Sequence, residues 1–268
     1  MSTSEHPQLQ WNTRHLIPNR NVRIALKLAA IAYLYFGVVS VNVNWIRVYQ
    51  GAGRMMQFVV AFLSPDFVSQ YELIVSGILE SLAMTAVATL AGVLIGLPIA
   101  FGAAKNISPK PVYLICRAFV VISRTFTEII IAIVFVVIVG FGPFAGVLTL
   151  TLAGAGFIAK LLGEDIESIN PEQLEAIRAT GASWWATLVY AVWPQVKPRF
   201  LGLSLYRMDI NFRNSSVLGI VGAGGIGGTL DIAFARYEYS VGAAILLLIV
   251  ALVLTAEYIS GKIRQRVQ

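Results

Sequence analysis

Six runs of about 20 mostly apolar residues recur along this chain, and each is long enough to cross a bilayer. Inside hydrocarbon the backbone N–H and C=O groups find no water, so such runs must fold as helices. They cover residues 24–43, 78–103, 118–140, 145–163, 200–224 and 241–260. Glu80, Pro98, Arg124 and Glu128 interrupt the second and third, and the fifth carries Arg207, Asp209 and Arg213. At 57% hydrophobic and 13% charged, with a mean hydropathy of +0.75, the 268 residues hold far more apolar sequence than a soluble domain uses. The expected fold class is an all-α polytopic membrane protein with six transmembrane helices in one membrane domain. No internal repeat or low-complexity tract divides it.

The basic residues set the expected orientation, because cytoplasmic loops keep Lys and Arg. Fourteen of the 20 fall on one side of the runs; only Arg47, Arg54 and Arg236 fall on the other. Arg124, Arg207 and Arg213 lie at membrane depth. Both termini are therefore expected in the cytoplasm, with residues 1–23 as a tail and 24–43 as the first transmembrane helix. Residues 44–77 form an external segment, 78–260 the transmembrane core and 261–268 a second tail. Within the external segment Met55–Leu63 is too short to span and is expected along the interface. No small-residue cleavage site follows the first run, so it reads as a retained helix rather than a signal peptide. The net charge of +6 serves membrane insertion and needs no nucleic acid. The lone Cys116 excludes an internal disulfide and a cysteine-based metal cluster.

Several chemistries are hard to build from these residues. Nothing fits the phosphate loop G-x-x-x-x-G-K-[ST]; Gly261-Lys262 is followed by Ile263. If ATP drives the protein, another chain binds the nucleotide and its magnesium, so no cofactor is expected here. His6 and His15 both precede the first apolar run, which leaves no core histidine for a catalytic triad or the usual zinc site. An intramembrane enzyme is disfavoured on that ground. Gly222, Gly224 and Gly227 spell G-x-G-x-x-G, but a membrane helix precedes them and the downstream window is apolar. A dinucleotide site needs a strand before and an acid about 20 residues after. These glycines, with Gly225, read instead as a local unwinding or close-packing point at the outer end of the fifth span.

Asn170–Pro194, NPEQLEAIRATGASWWATLVYAVWP, is a polar island. Asn170 is placed to cap a helix, Pro171 suits its first position, and Gln173 sits where a capping-box partner belongs. Gly181 favours a sharp turn, and Pro194 closes the segment. The expected shape is a cytoplasmic helix–Gly–helix elbow, suited to docking a soluble partner.

Charges at membrane depth cost roughly 2.5–3.5 kcal/mol each on the insertion scale, so several together need a reason. Arg124 and Glu128 are four residues apart, as are Asp209 and Arg213, so each arginine has a candidate neutralising neighbour. Arg207 has no acid three or four residues away and shares a helical face with Asn211 and Asn214, near Ser204 and Ser215. Such a face suits an oxyanion. Arg207, Arg213 and Arg124, with Asn211, are the candidate pathway residues.

The elbow's spacing resembles the EAA loop of ABC-importer permeases, with Glu175, Ala176, Gly181 and Pro194 on the matching positions. Ile177, Ala191 and Trp193 depart from that pattern. With Phe135–Leu148 (FVVIVGFGPFAGVL), Glu175–Ser183 (EAIRATGAS) and Leu205–Gly227 (LYRMDINFRNSSVLGIVGAGGIG), the chain from about residue 50 resembles permease subunits of phosphonate-type ABC importers. The resemblance implies a type I importer fold in a bacterial inner membrane, working as two permeases, two cytoplasmic ABC ATPases and an external substrate-binding protein. It implies passage of phosphonate, phosphite or phosphate by alternating access. It also implies that Glu175, Ala176, Arg178 and Gly181 couple to the ATPase, and that Gly222, Gly224, Gly225 and Gly227 lie at an external gate. The alternative is a stand-alone anion channel or secondary carrier, which would use the same arginines but has no evident use for the elbow.

Overall fold

The computed structural model describes residues 19–40 and 44–267, so His6, His15 and most of the expected N-terminal tail lie outside the described residues. By its contacts the chain divides into two units, residues 1–57 and 58–268. In the first, α1 (Arg20–Ser40) is apolar beyond Lys27 and buries no residue against the protein. A second helix, α2 (Trp45–Leu63), runs from that unit into the next. It takes in the expected Met55–Leu63 segment and extends it by ten residues toward the N-terminus.

The larger unit is built around α3 (Tyr71–Gly102) and α6 (Pro143–Glu167), which pack against each other along their lengths. Small residues allow this. A Cβ on Gly96 would stand 2.9 Å from the carbonyl oxygen of Ala155, and one on Gly92 would stand 3.2 Å from that of Thr151. Where lipid tails are as apolar as leucine, such close backbone approach is a main source of helix association. The second span starts earlier than expected, at Tyr71 rather than residue 78, because Tyr71, Glu72 and Ser76 extend the helix beyond the apolar run.

The third span is not one helix. It breaks into α4 (Lys110–Thr125) and α5 (Glu128–Val139), whose directions differ by 95°. The break falls on Phe126 and Thr127, both with extended backbone (ψ 142° and 150°). After α6 come α7 (Pro171–Ala179), a turn, and α8 (Trp184–Thr187), which passes through a π-helical turn at Leu188–Val192 into α9 (Trp193–Leu218). Pro194 does not end this segment. It has no N–H for the α-helical bond to the carbonyl four residues back, and the Trp193 N–H reaches the Leu188 carbonyl in a π-type bond. After a 3-10 turn at Gly219–Val221 come α10 (Ile226–Ala235) and α11 (Tyr239–Val267).

Among the described residues five helical stretches are long and apolar enough to cross a membrane, or six when the bent α4–α5 pair counts as one span. Toward the elbow the core is formed by Ala100, Ile107, Ile158, Leu162, Ile166, Leu174, Leu188 and Val192. A separate cluster of Ile74, Ile226, Leu230, Val241 and Ile245 holds α3, α10 and α11 together.

Candidate functional site: elbow, buried charges and glycine break

The elbow folds from local rules. The Asn170 side chain accepts from the Glu172 N–H at 2.9 Å, which caps α7. The reciprocal bond comes from elsewhere: the Asn170 N–H donates to Gln195 Oε1 at 3.1 Å, so Gln195 takes the part expected of Gln173. Gly181 turns the chain at φ +76°, a left-handed conformation that favours glycine, and its N–H donates to the Arg178 carbonyl at 3.0 Å. Ser183 caps α8 by accepting from the Ala186 N–H at 3.3 Å. Leu174 anchors α7 in the core, whereas Glu175, Ala176, Arg178 and Gly181 are exposed together. The three departures from the EAA pattern turn inward: Ala191 is buried, and Ile177 and Trp193 pack on the same core cluster. They reshape the protomer's interior and leave the exposed side of the elbow as the motif has it.

The intramembrane charges pair differently from the expectation. Glu128 does not serve Arg124. Its Oε1 sits 3.0 Å from Arg207 Nη2, and its Oε2 accepts from the Asn214 amide. The four-residue rule presumes a continuous helix, and the break at Phe126–Thr127 turns Glu128 toward α9 instead. Arg207 is thus the paired arginine, with only 2% of its side chain exposed, while Arg124 is exposed and has no acid within 4 Å among the described residues. Both guanidinium carbons lie near the Phe157 ring, at 5.6 Å for Arg207 and 5.8 Å for Arg124. Asp209 and Arg213 do pair, at 3.5 Å, with the Arg213 side chain 56% exposed.

The neutral donors of the Arg207 face are already engaged. Asn211 is fully buried and donates to Thr89 Oγ1 at 2.9 Å, while Ser204 and Ser215 donate to their own helix at Phe200 and Phe212. In effect Glu128 fills the oxyanion position that the sequence pattern advertises. Sequence reasoning missed this use of Glu128, Asn214 and Thr89. The available signal was Thr127-Glu128 itself, an N-cap residue type followed by an acid in the first turn, which marks a helix start.

The glycine run is both an unwinding and a close-packing point. Gly222, Gly224 and Gly225 have φ of +82°, +77° and +79°. The freed backbone groups find partners: the Gly142 N–H donates to the Gly222 carbonyl at 2.9 Å, and the Ile226 N–H to Ser81 Oγ at 2.9 Å. A Cβ on Gly227 would fall 1.9 Å from the Ser216 carbonyl oxygen, and one on Gly219 2.2 Å from the Gly228 nitrogen. Among the described residues no group of three His, Cys, Asp or Glu could hold a metal ion.

Residues 92–268 match the family described as the binding-protein-dependent transport system inner membrane component. The chain belongs to this family. It is an all-helical, multi-pass inner-membrane permease of the ABC-importer type. It is 42% identical over 188 residues to the phosphate-import permease protein PhnE of Mycolicibacterium smegmatis, covering 70% of this chain and 35% of that one. It is 40% identical over 204 residues to the phosphite transport system permease protein PtxC of Stutzerimonas stutzeri, covering 76% of this chain and 74% of that one. The chain thus spans about a third of the first relative's length and three quarters of the second's. Among solved structures, an inward-facing MetNI methionine ABC transporter superposes with a TM-score of 0.63 at 29% identity, over 75% of this chain and 99% of that one.

Proposed function

We propose that this permease passes a small phosphorus oxyanion (phosphonate, phosphite or phosphate), handed to it by an external binding protein and driven by ATP hydrolysed in separate ABC ATPase subunits. The observation that carries the anion assignment is the charge imbalance beside Phe157. Arg124 and Arg207 share that ring, and Glu128 is the one acid within 4 Å of either among the described residues. The surplus positive charge belongs to Arg124, which is exposed, and an anion crossing at membrane depth would relieve it. Arg213, paired with Asp209, presents a second exposed guanidinium on α9, while Arg207 and Asn211 are buried. The names of the similar permeases from Mycolicibacterium smegmatis and Stutzerimonas stutzeri support the phosphorus class.

The elbow supports the ATP-driven reading. Glu175, Ala176, Arg178 and Gly181 form an exposed face for the ATPase, which carries the ATP and magnesium, so this chain is not itself the enzyme. Two copies of the chain, two ATPases and one binding protein make the working unit, with both termini in the cytoplasm. The glycine break at 222–227 serves as the external gate, where left-handed glycines interrupt the helix and the freed backbone is held by Gly142 and Ser81.

The test is ATP hydrolysis by the reconstituted complex with its binding protein, titrated with methylphosphonate, phosphite and phosphate. Stimulation by one of them is expected, and it names the substrate. If no ATPase co-purifies, or if uptake follows membrane potential rather than ATP, the importer reading falls and a stand-alone carrier takes its place.

A further inference from the structure

The loop between α3 and α4, residues 103–109, is bound on two sides. The Lys105 N–H donates to Glu167 Oε1 at 2.9 Å and the Asn106 side chain to the Ile166 carbonyl at 2.7 Å, both at the end of α6. On the other side two consecutive carbonyls of the loop accept from the elbow. Arg178 Nη2, on α7, reaches the Asn106 carbonyl at 3.3 Å, and Trp184 Nε1, on α8, reaches the Ile107 carbonyl at 2.9 Å. The two donors stand on opposite limbs of the elbow, separated by the Gly181 turn. Ile107 is buried in the same cluster as Leu174 from α7 and Leu188 from the π turn. From there the chain enters α4 stiffly: Pro109 is the N-cap residue and Pro111 lies in the first turn.

We propose that Trp184 and Arg178 are positioning residues that clamp the α3–α4 loop to both limbs of the elbow, so that an elbow displacement is delivered through α4 to the Phe126–Thr127 bend. The inference rests on the reading of the elbow as the ATPase-facing element. It gives the stroke a route to the Arg124–Glu128–Arg207 cluster that does not pass along α9. Arg178 is exposed and long, so it tolerates small shifts. Trp184 is stiffer: its single N–H sits on a rigid ring held edge-on against Trp185, with centroids 4.7 Å apart. A rigid donor transmits displacement, whereas a flexible one absorbs it.

Trp184→Phe keeps an aromatic ring at this position but removes the indole N–H, and with it the bond to the Ile107 carbonyl, together with part of the ring. In the reconstituted complex basal ATP hydrolysis is expected unchanged, while substrate moved per ATP falls about five-fold, the factor that goes with one hydrogen bond. A role confined to holding the loop would leave that ratio alone, and an unchanged ratio overturns the clamp. A second measurement covers the case in which the variant does not assemble. Spin labels at Lys105 and Ala179, both exposed, in an otherwise unaltered chain should keep the same separation in nucleotide-free and ATP-trapped complexes. If the loop and α7 move apart, the clamp is wrong. If no ATPase associates with the unaltered chain, the importer reading fails and takes the clamp with it; failure of the clamp alone leaves an ATP-coupled importer.

Discussion

Removing the Glu128 carboxylate should cost more than removing any neutral contact in the membrane core. Glu128→Ala strands the Arg207 guanidinium, 2% exposed, and the Asn214 amide, with no other acid within 4 Å of Arg207 among the described residues. At a charge separation of about 4 Å and an effective dielectric near 20, the lost attraction is about 4 kcal/mol. Glu128 itself is 21% exposed, which admits some screening, so the expected net loss is about 3 kcal/mol. A neutral intramembrane hydrogen bond contributes only about 0.6 kcal/mol, so the two cases are well separated. Glu128→Gln keeps the shape and one acceptor and should lose about half as much. Replacing both partners with apolar residues, Glu128→Leu with Arg207→Met, should recover most of the stability, because no charge is left stranded. The assay is reversible unfolding in mixed micelles, followed by loss of helical signal, for the two single variants and the double. A loss below about 1 kcal/mol for Glu128→Ala, or additive losses in the cycle, would refute the pairing.

Other perturbations separate the remaining roles. Gly227→Ala drives a methyl into the Ser216 carbonyl oxygen at 1.9 Å and should abolish accumulation, while Gly228→Ala, with its nearest atom at 3.8 Å, should behave normally in membrane-level and thermal-aggregation assays. Gly181→Pro cannot adopt φ +76° and loses the bond to the Arg178 carbonyl, yet a side-chain atom added at that position meets no heavy atom within 4 Å beyond its chain neighbours. The chain should still insert, and ATP-driven uptake should be lost; normal uptake would count against the elbow as the coupling element. Arg213→Gln, at an exposed guanidinium, should leave membrane levels intact and lower uptake about ten-fold, whereas Arg207→Gln strands Glu128 and should lower the levels themselves.

The elbow was legible because its signals are local. Asn170, Pro171 and Gly181 act through neighbours in the chain, and capping and left-handed turns do not depend on distant packing. Glycine spacing likewise pointed to the break at 222–227, though not to which carbonyl each glycine must clear. The charged cluster was misread in one respect. Spacing put Glu128 with Arg124, and the structure gives it to Arg207, 79 residues away, because two residues of extended chain rotate the helix start. An apolar run reports that a segment sits in the membrane, but hydropathy averages over the break and hides it. Gln195 in place of Gln173 is the same lesson at smaller scale: the acceptor for the Asn170 N–H comes from 25 residues along the chain, where spacing rules do not look.

The bend at Phe126–Thr127 also bears on how the protein is made. At a helix break the last carbonyls of α4 and the first N–H groups of α5 have no helical partners. Hydrocarbon cannot satisfy them, so at this depth they must meet water or protein. Arg124, Thr125, Phe126 and Thr127 are all exposed on the single protomer. A lone chain released into the bilayer would therefore carry an unsealed notch that draws headgroups and water inward and thins the membrane around it. If the chain works in the proposed complex, a cell that makes it alone should clear it quickly.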